Sequence, residues 1–138
     1  MIIAIRISGL VEMQTSVEEI LQRLRMRRKY CAVLMPNTKE NMNLLRKIRD
    51  FVAYGTIEQA DIIALIQKRG ISKNKSNIDS VKVAEIISSK GINYSGIKPF
   101  FRLHPPRGGI DSKIHFPIKK GVLGDHGDKI NELLRRML

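Results

Sequence analysis

The sequence predicts one α+β domain of 138 residues. Three observations carry this. The first half alternates between short β-branched runs and helical periodicity. The middle carries two further amphipathic helices bounded by glycine. A third short apolar run follows before a polar stretch and a closing helix. At 43% apolar and 28% charged residues the chain is rich enough in core-forming side chains to fold.

The first strand is read over 2–7, where Ile2, Ile3, Ile5 and Ile7 dominate. Ser16 followed by Glu19 reads as a capping box. Behind it Val17, Ile20, Leu21 and Leu24 keep the i, i+3, i+4, i+7 spacing of one buried helix face. The apolar run 30–35 is the second strand. Pro36, Asn37 and Thr38 make a turn, with Asn37 and Glu40 repeating the capping arrangement ahead of Leu44, Leu45 and Ile48. Thr56 and Gln59 open a third helix bearing Ile62, Ile63 and Ile66, stopped at Gly70. Val83, Ile86 and Ile87 mark a fourth, ended by Gly91. The third strand is expected over 97–103, at a sheet edge because Pro99 lacks an amide donor. His104-Pro105-Pro106-Arg107-Gly108-Gly109 is irregular, and the polar stretch to Gly127 reads as loop. The last helix carries Ile130, Leu133, Leu134 and Met137 on one stripe, to be buried on this fold or on a neighbour. The expected organisation is a core of 1–55 and 92–104, a helical insertion at 56–91 and a C-terminal extension at 105–138.

The charge balance narrows the function. Lys and Arg number 25 against 13 Asp and Glu, a formal net charge of +12. Such an excess repels itself in the compact state and is ordinarily matched by a polyanion. No window reaches the roughly 20 apolar residues of a membrane-spanning helix. The opening apolar run is too short for a signal-peptide core and has no basic leader. Cys31 is the single cysteine, which excludes an internal disulfide and fits a reducing cytoplasm.

The cations gather in three clusters. One spans 23–29, with Arg25, Arg27, Arg28 and Lys29. The second spans 68–75, with Lys68, Arg69, Lys73 and Lys75. The third spans 98–120, with Arg102, Arg107, Lys113, Lys119 and Lys120. A single charge run is ordinarily a solvated face. Three runs interrupted by one acid, Asp111, point instead to neutralisation of several phosphates, which releases condensed counterions. In the stretch 101–109, Arg102 and Arg107 can each fork onto a phosphate. His104 can stack on a base or donate to a phosphate, and Gly108 and Gly109 let backbone amides approach closely. Tyr94, Phe100 and Phe101 could be stacking platforms, but at least two of the three are expected in the core, because aromatics are only 5% of the chain. Shape and phosphate recognition of structured RNA therefore fits better than dedicated single-strand binding.

Signals for an enzyme are poor. His104, His115 and His126 are spaced by eleven, which is no metal-ligand pattern, and Cys31 has no cysteine partner. Gly121, Gly124 and Gly127 lack the strand, loop and downstream acid of a dinucleotide site and read as a helix-capping turn. Asp125 and His126 could act as a pair only with a nucleophile that the sequence does not supply. No cofactor or metal is expected. The competing class is an RNA-processing or RNA-modifying enzyme.

These residues resemble a known family. The run Phe101-Arg102-Leu103-His104-Pro105-Pro106-Arg107-Gly108-Gly109 is similar to the signature of archaeal ribosomal proteins of the L-thirty family of the large subunit. So is the terminal Lys129-Ile130-Asn131-Glu132-Leu133-Leu134-Arg135-Arg136-Met137. The opening Ile5-Arg6-Ile7-Ser8-Gly9, the segment from Cys31 to Thr38 and Asp50-Phe51-Val52-Ala53-Tyr54-Gly55 are also similar, the last matching the end of the family's second helix. The resemblance covers essentially the whole chain. It departs at Asn41-Met42, where many relatives have Gly-Met, and at Lys29-Tyr30, where many have Asn-His.

The resemblance implies a ferredoxin-like three-stranded antiparallel sheet with two helices on one face, a helical insertion and a C-terminal extension ending in a helix. It implies a structural, non-catalytic place in the cytoplasmic ribosome. There one copy would bind large-subunit ribosomal RNA, near the 5S RNA, beside neighbouring ribosomal proteins. No membrane or small-molecule substrate is implied.

Overall fold

A computed structural model describes residues 1–9 and 11–138. Strand β1, Ile2–Arg6, is followed by α1, Thr15–Arg23, then β2, Cys31–Met35, and α2, Lys39–Lys47. Next come β3, Val52–Thr56, α3, Gln59–Arg69, and α4, Ser80–Lys90. The chain closes with β4, Phe101–Arg102, β5, Ser112–His115, β6, Gly121–Asp125, and α5, Ile130–Met137.

The α+β class holds, but the sheet is larger than expected. Its described strands number six, in the order β4-β2-β1-β3-β6-β5, not three. β1 pairs antiparallel with both β2 and β3, β4 adds antiparallel to β2, and β6 adds parallel to β3. β5 pairs parallel with β6 across a register shift. Three strands were missed for identifiable reasons. In sequence, residues 52–56 read as the end of the second helix and the start of the third, yet every residue of β3 except Thr56 is buried. β5 carries a polar, partly exposed sequence, and β6 has only Val122 and Leu123 between its glycines. The expected third strand shrinks to two residues, and it does lie at an edge.

Strand alternation explains how β1 to β3 are apolar almost throughout. Ile2, Ala4, Val33, Met35, Val52 and Tyr54 face one side, where Leu21 of α1 and Leu45 of α2 cover them. Ile3, Ile5, Ala32, Leu34 and Ala53 face the other, covered by α3, α4 and α5. A sheet buried on both faces needs apolar residues at consecutive positions. Two helices therefore do lie on one face, while the second face is covered as well. The closing stripe of Ile130, Leu133, Leu134 and Met137 is buried in this second core, so its partner is the chain's own sheet.

Capping differs from expectation at several starts. The first helix has Gln14 at its N-cap with no side-chain cap, so the Ser16–Glu19 box is not formed. Thr38, not Asn37, caps α2, its hydroxyl accepting from the Asn41 amide at 3.2 Å. Asn41 also donates from its side chain to the Pro36 carbonyl at 2.9 Å, which occupies the position where many relatives carry glycine. The Thr56 start is displaced to Glu58.

His126 sits in the loop between β6 and α5, 9% exposed and stacked on Phe116 with ring centroids 4.5 Å apart. Its Nε2 is 2.8 Å from the Val122 carbonyl, so that nitrogen carries the proton and donates. Burial holds its pKa below the ordinary histidine value, and the Val122 carbonyl and Asp125 only partly offset this. A depressed histidine pKa gives a contribution that is complete above the unfolded value of about 6.5 and is lost as pH falls through the folded one. The stability advantage of the parent over His126→Gln should therefore shrink as pH falls below about 6.5 in thermal unfolding. An advantage independent of pH would contradict this account.

Candidate nucleic-acid interface

The first basic cluster follows α1 in a loop whose shape is set from within. Arg6 at the end of β1 is only 2% exposed. Its guanidinium donates to the carbonyls of Met26 at 2.7 Å, Ser8 at 3.0 Å and Gly9 at 3.4 Å. Burial lowers the pKa of Arg6 and Glu18 acts against it. An arginine nonetheless remains charged, and three carbonyl oxygens are what satisfy it. Met26 is fully buried and its amide bonds Leu21. Arg25 and Tyr30 adopt positive φ of 62° and 60°, uncommon for side chains with a Cβ. Between these fixed points Arg25, Arg27, Arg28 and Lys29 are all exposed.

β4 brings the third cluster to the same place. The register sets Arg102 opposite Cys31 and Phe101 opposite Ala32. The Leu103 amide continues the pairing to the Tyr30 carbonyl at 2.9 Å. Phe101 points into the second core, and Arg102 points to the α1 side, with its guanidinium 5.9 Å from the Phe100 ring centre. The result is a cleft of about 670 Å³ lined by Arg23, Arg25, Arg27, Arg28, Lys29 and Arg102 over a floor of Cys31, Phe100 and Leu103. Among the described residues no acid lines it. Burial pushes the Cys31 thiol pKa up, with Arg102 and Arg6 pulling it back. Cys31 is thus floor rather than nucleophile.

The stretch 104–109 leaves this cleft along the end of α5. The His104 amide donates to the Met137 carbonyl and the Arg107 amide to the Arg136 carbonyl, each at 3.0 Å. Arg136 returns its Nε to the Arg107 carbonyl at 2.9 Å and its Nη2 to the Gly109 carbonyl. Arg136 therefore clamps the segment and leaves the Arg107 and His104 side chains exposed. Gly108 and Gly109 have φ of 81° and 75°, which a side chain rarely adopts. The glycines are thus required by the turn itself. The Gly109 amide is spent on the Pro106 carbonyl at 3.0 Å, which removes it from the donors expected to meet RNA.

A second cleft of about 390 Å³ lies beyond, where Gly109, Lys120, Lys129 and Arg136 line the rim together with Asp111 and Glu132. Lys113 and Lys119 are exposed on β5 and the turn after it and do not line this cleft. Lys129 and Arg136 were not singled out from sequence. Their helical setting reads as ordinary solvated charge until Arg136 is seen holding the 107–109 backbone.

The middle cluster divides. Lys68, Lys73 and Lys75 are exposed, but Arg69 is half-buried and donates to the Leu138 carbonyl at 2.7 Å. Arg69 is a tie within the fold and not an open cation, because α3 packs its C-terminal end against the end of α5. Arg135 is likewise withdrawn by a fork onto the buried Asp61, with Nε and Nη2 each 2.9 Å from a carboxylate oxygen, and by Glu58 at 3.2 Å. Among the described residues no group of three His, Cys, Asp or Glu side chains could hold a metal ion, and no helix is long and apolar enough to cross a membrane.

Comparison with known proteins adds an independent finding. A family model described as Ribosomal protein L30p/L7e matches residues 2–52. The chain is similar to the Large ribosomal subunit protein uL30 of Desulfurococcus amylolyticus, 34% identical with 97% of this chain and 96% of that protein covered. The uL30 of Archaeoglobus fulgidus is 32% identical, with 99% of each chain covered. That of Hyperthermus butylicus is 36% identical, covering 97% of this chain and 88% of its own length.

Proposed function

Because the chain belongs to the ribosomal protein L30p/L7e family, we propose that it is a structural constituent of the large ribosomal subunit in the cytoplasm, holding folded ribosomal RNA and abutting neighbouring ribosomal proteins. The role is structural rather than catalytic. The observation that carries the RNA contact is the acid-free cleft, in which two clusters about seventy residues apart in sequence converge through the pairing of β4 with β2. Arg25, Arg27, Arg28, Lys29 and Arg102 are its phosphate contacts. Lys68, Lys73, Lys75, His104, Arg107, Gly108, Lys113, Lys119 and Lys120 extend the contact over the rest of the surface. Proximity to the 5S RNA rests on the family resemblance alone.

Preorganisation favours this use of the cleft. The loop conformation is fixed by Arg6 and Met26 before any partner arrives, so less ordering cost falls on binding. Each phosphate neutralised lowers the slope of log K against log salt by about 0.7 to 0.9. With about four phosphates engaged, affinity for protein-free large-subunit RNA should fall on the order of a hundredfold between about 50 and 200 mM salt. A filter-binding or fluorescence titration gives the slope, and a flat profile would refute the electrostatic contact.

A further inference from the structure

We infer that Tyr94 is a stacking platform for an unpaired RNA base, with Lys73, Lys75 and Lys98 receiving the flanking phosphates. This rests on the RNA-binding reading above but not on the cleft at β4, from which none of these residues is drawn. It also departs from the expectation that this chain reads RNA by shape and phosphate alone.

Of the three aromatics weighed from sequence, Phe101 is fully buried, Phe100 is packed against the α1 side core and Tyr94 is 74% exposed. The ring has therefore not been placed to build the core. It stands at the end of a one-turn 3-10 helix, Ile92–Tyr94, between Gly91 and Gly96, whose φ values are 91° and 73°. The turn is pinned from below. Ser95 is buried with its hydroxyl donating to the Ile92 carbonyl at 2.6 Å, and Ile97 is buried beside it. Tyr94 is thus held on a fixed base with its ring in solvent.

The loop after α3 is bonded directly to this turn. The Lys73 amide donates to the Gly96 carbonyl at 3.0 Å, the Lys98 amide to the Ile71 carbonyl at 2.8 Å, and Ser72 bridges Ile97. The loop is itself ordered by the Ser72 hydroxyl, which accepts from the amides of Asn74 and Ser76 at 3.2 Å. Lys75 takes a positive φ of 56° inside it. Lys73, Lys75 and Lys98 are all exposed, and Ile71 is 40% exposed.

The sequence supplies no acid between Asp61 and Asp79, or between Glu85 and Asp111, so both segments that build this corner are free of carboxylates. An exposed ring on a turn hydrogen-bonded to a loop that bears exposed lysines matches the two demands of an unpaired nucleotide, a π-face for its base and cations for its phosphates. A protein partner would not by itself call for two segments free of carboxylates. Base stacking is sequence-tolerant, so the ligand is a bulged or looped nucleotide of any base rather than a sequence motif.

The test uses the full chain and protein-free large-subunit ribosomal RNA at physiological salt, with thermal unfolding measured alongside. Tyr94→Ala should lose about fivefold or more in affinity at an unchanged melting temperature, since the ring buries little. Tyr94→Phe should bind like the parent, because stacking needs the ring and not the hydroxyl. In RNA substituted with 4-thiouridine, ultraviolet cross-linking should mark the peptide bearing Tyr94. Parent-like affinity of Tyr94→Ala would overturn the inference. So would equal losses in both variants, which would assign the effect to a hydroxyl hydrogen bond. A defect confined to particles that contain neighbouring proteins would assign the corner to a protein partner and overturn it too. Should Arg25→Ala weaken binding while Tyr94→Ala does not, this inference fails and the cleft stands. Should the parent not bind protein-free RNA, both fail.

Discussion

Replacing Phe101 by alanine should cost about 3–5 kcal/mol of stability in urea unfolding. Phe101 is fully buried, and it packs in the core between the sheet and α3, α4 and α5. It lies on a strand of two residues that is held by a short antiparallel pairing to β2. Few backbone bonds anchor this edge, so the side chain supplies much of what keeps it in place. A loss of that size is a large share of the roughly 5–15 kcal/mol typical of a domain. Arg102 is the next residue and faces the cleft, so detaching the strand also displaces a proposed phosphate contact. The folded fraction of the variant should bind RNA more weakly than the parent. A stability loss under about 1 kcal/mol would mean that the edge is held by other contacts.

That coupling of core to cleft could not be read from sequence. The apolar periodicities of the first two helices and of α3 to α5 were legible, because one buried face imposes a 3.6-residue spacing that survives in any sequence. β1 and β2 were legible as short β-branched runs. β3 was not, since Val52-Ala53-Tyr54-Gly55 lies between two helical patterns and resembles a helix end as much as a strand. Its strand character comes from pairing with β1 and β6, a tertiary cause. Gly55 belongs to the same cause, for a side chain there would collide with the backbone of Gly127 and with Ile130. β5 and β6 escaped because β6 joins the sheet through the distant β3, β5 is an edge strand that pairs with β6 alone, and both have the composition of a loop.

Of the interface, the cations were legible and their company was not. Charge runs announce themselves in composition, and the sequence showed three. Which of them share a surface depends on the β2 to β4 register, and which are consumed internally depends on packing, as with Arg69 on the Leu138 carbonyl. Arg6 belongs to its strand as the sequence predicts, and its burial also makes it the organiser of the loop at 24–30. No local signal separates it from an ordinary surface arginine. An arginine at the end of an otherwise wholly apolar strand is the only hint, and it becomes informative once both faces of that strand are known to be covered.

The triple replacement of Arg25, Arg27 and Arg28 by glutamate should abolish binding to large-subunit RNA at physiological salt, with a loss of about a thousandfold or more. Each charge-assisted contact contributes roughly 1.5–3 kcal/mol. Three at the lower end amount to about a thousandfold before any repulsion is counted. The three new carboxylates then face phosphate across a cleft that has no other acid among the described residues, so repulsion adds to the loss. Folding should change little. All three side chains are exposed, and the buried anchors of the loop, Arg6 and Met26, are untouched. Lower repulsion within a chain of net charge +12 works in the same direction, towards a fold at least as stable as the parent. The salt dependence gives a second readout, because a variant that has lost the three proposed phosphate contacts must also show a shallower slope. A matched triple reversal at Arg46, Lys47 and Arg49, cations at and just after the end of α2 that do not line the cleft, removes the same net charge and should lose far less. Equal losses in the two triples would reduce the interface to net charge, and the cleft formed by β2 and β4 would then have no particular part in holding RNA.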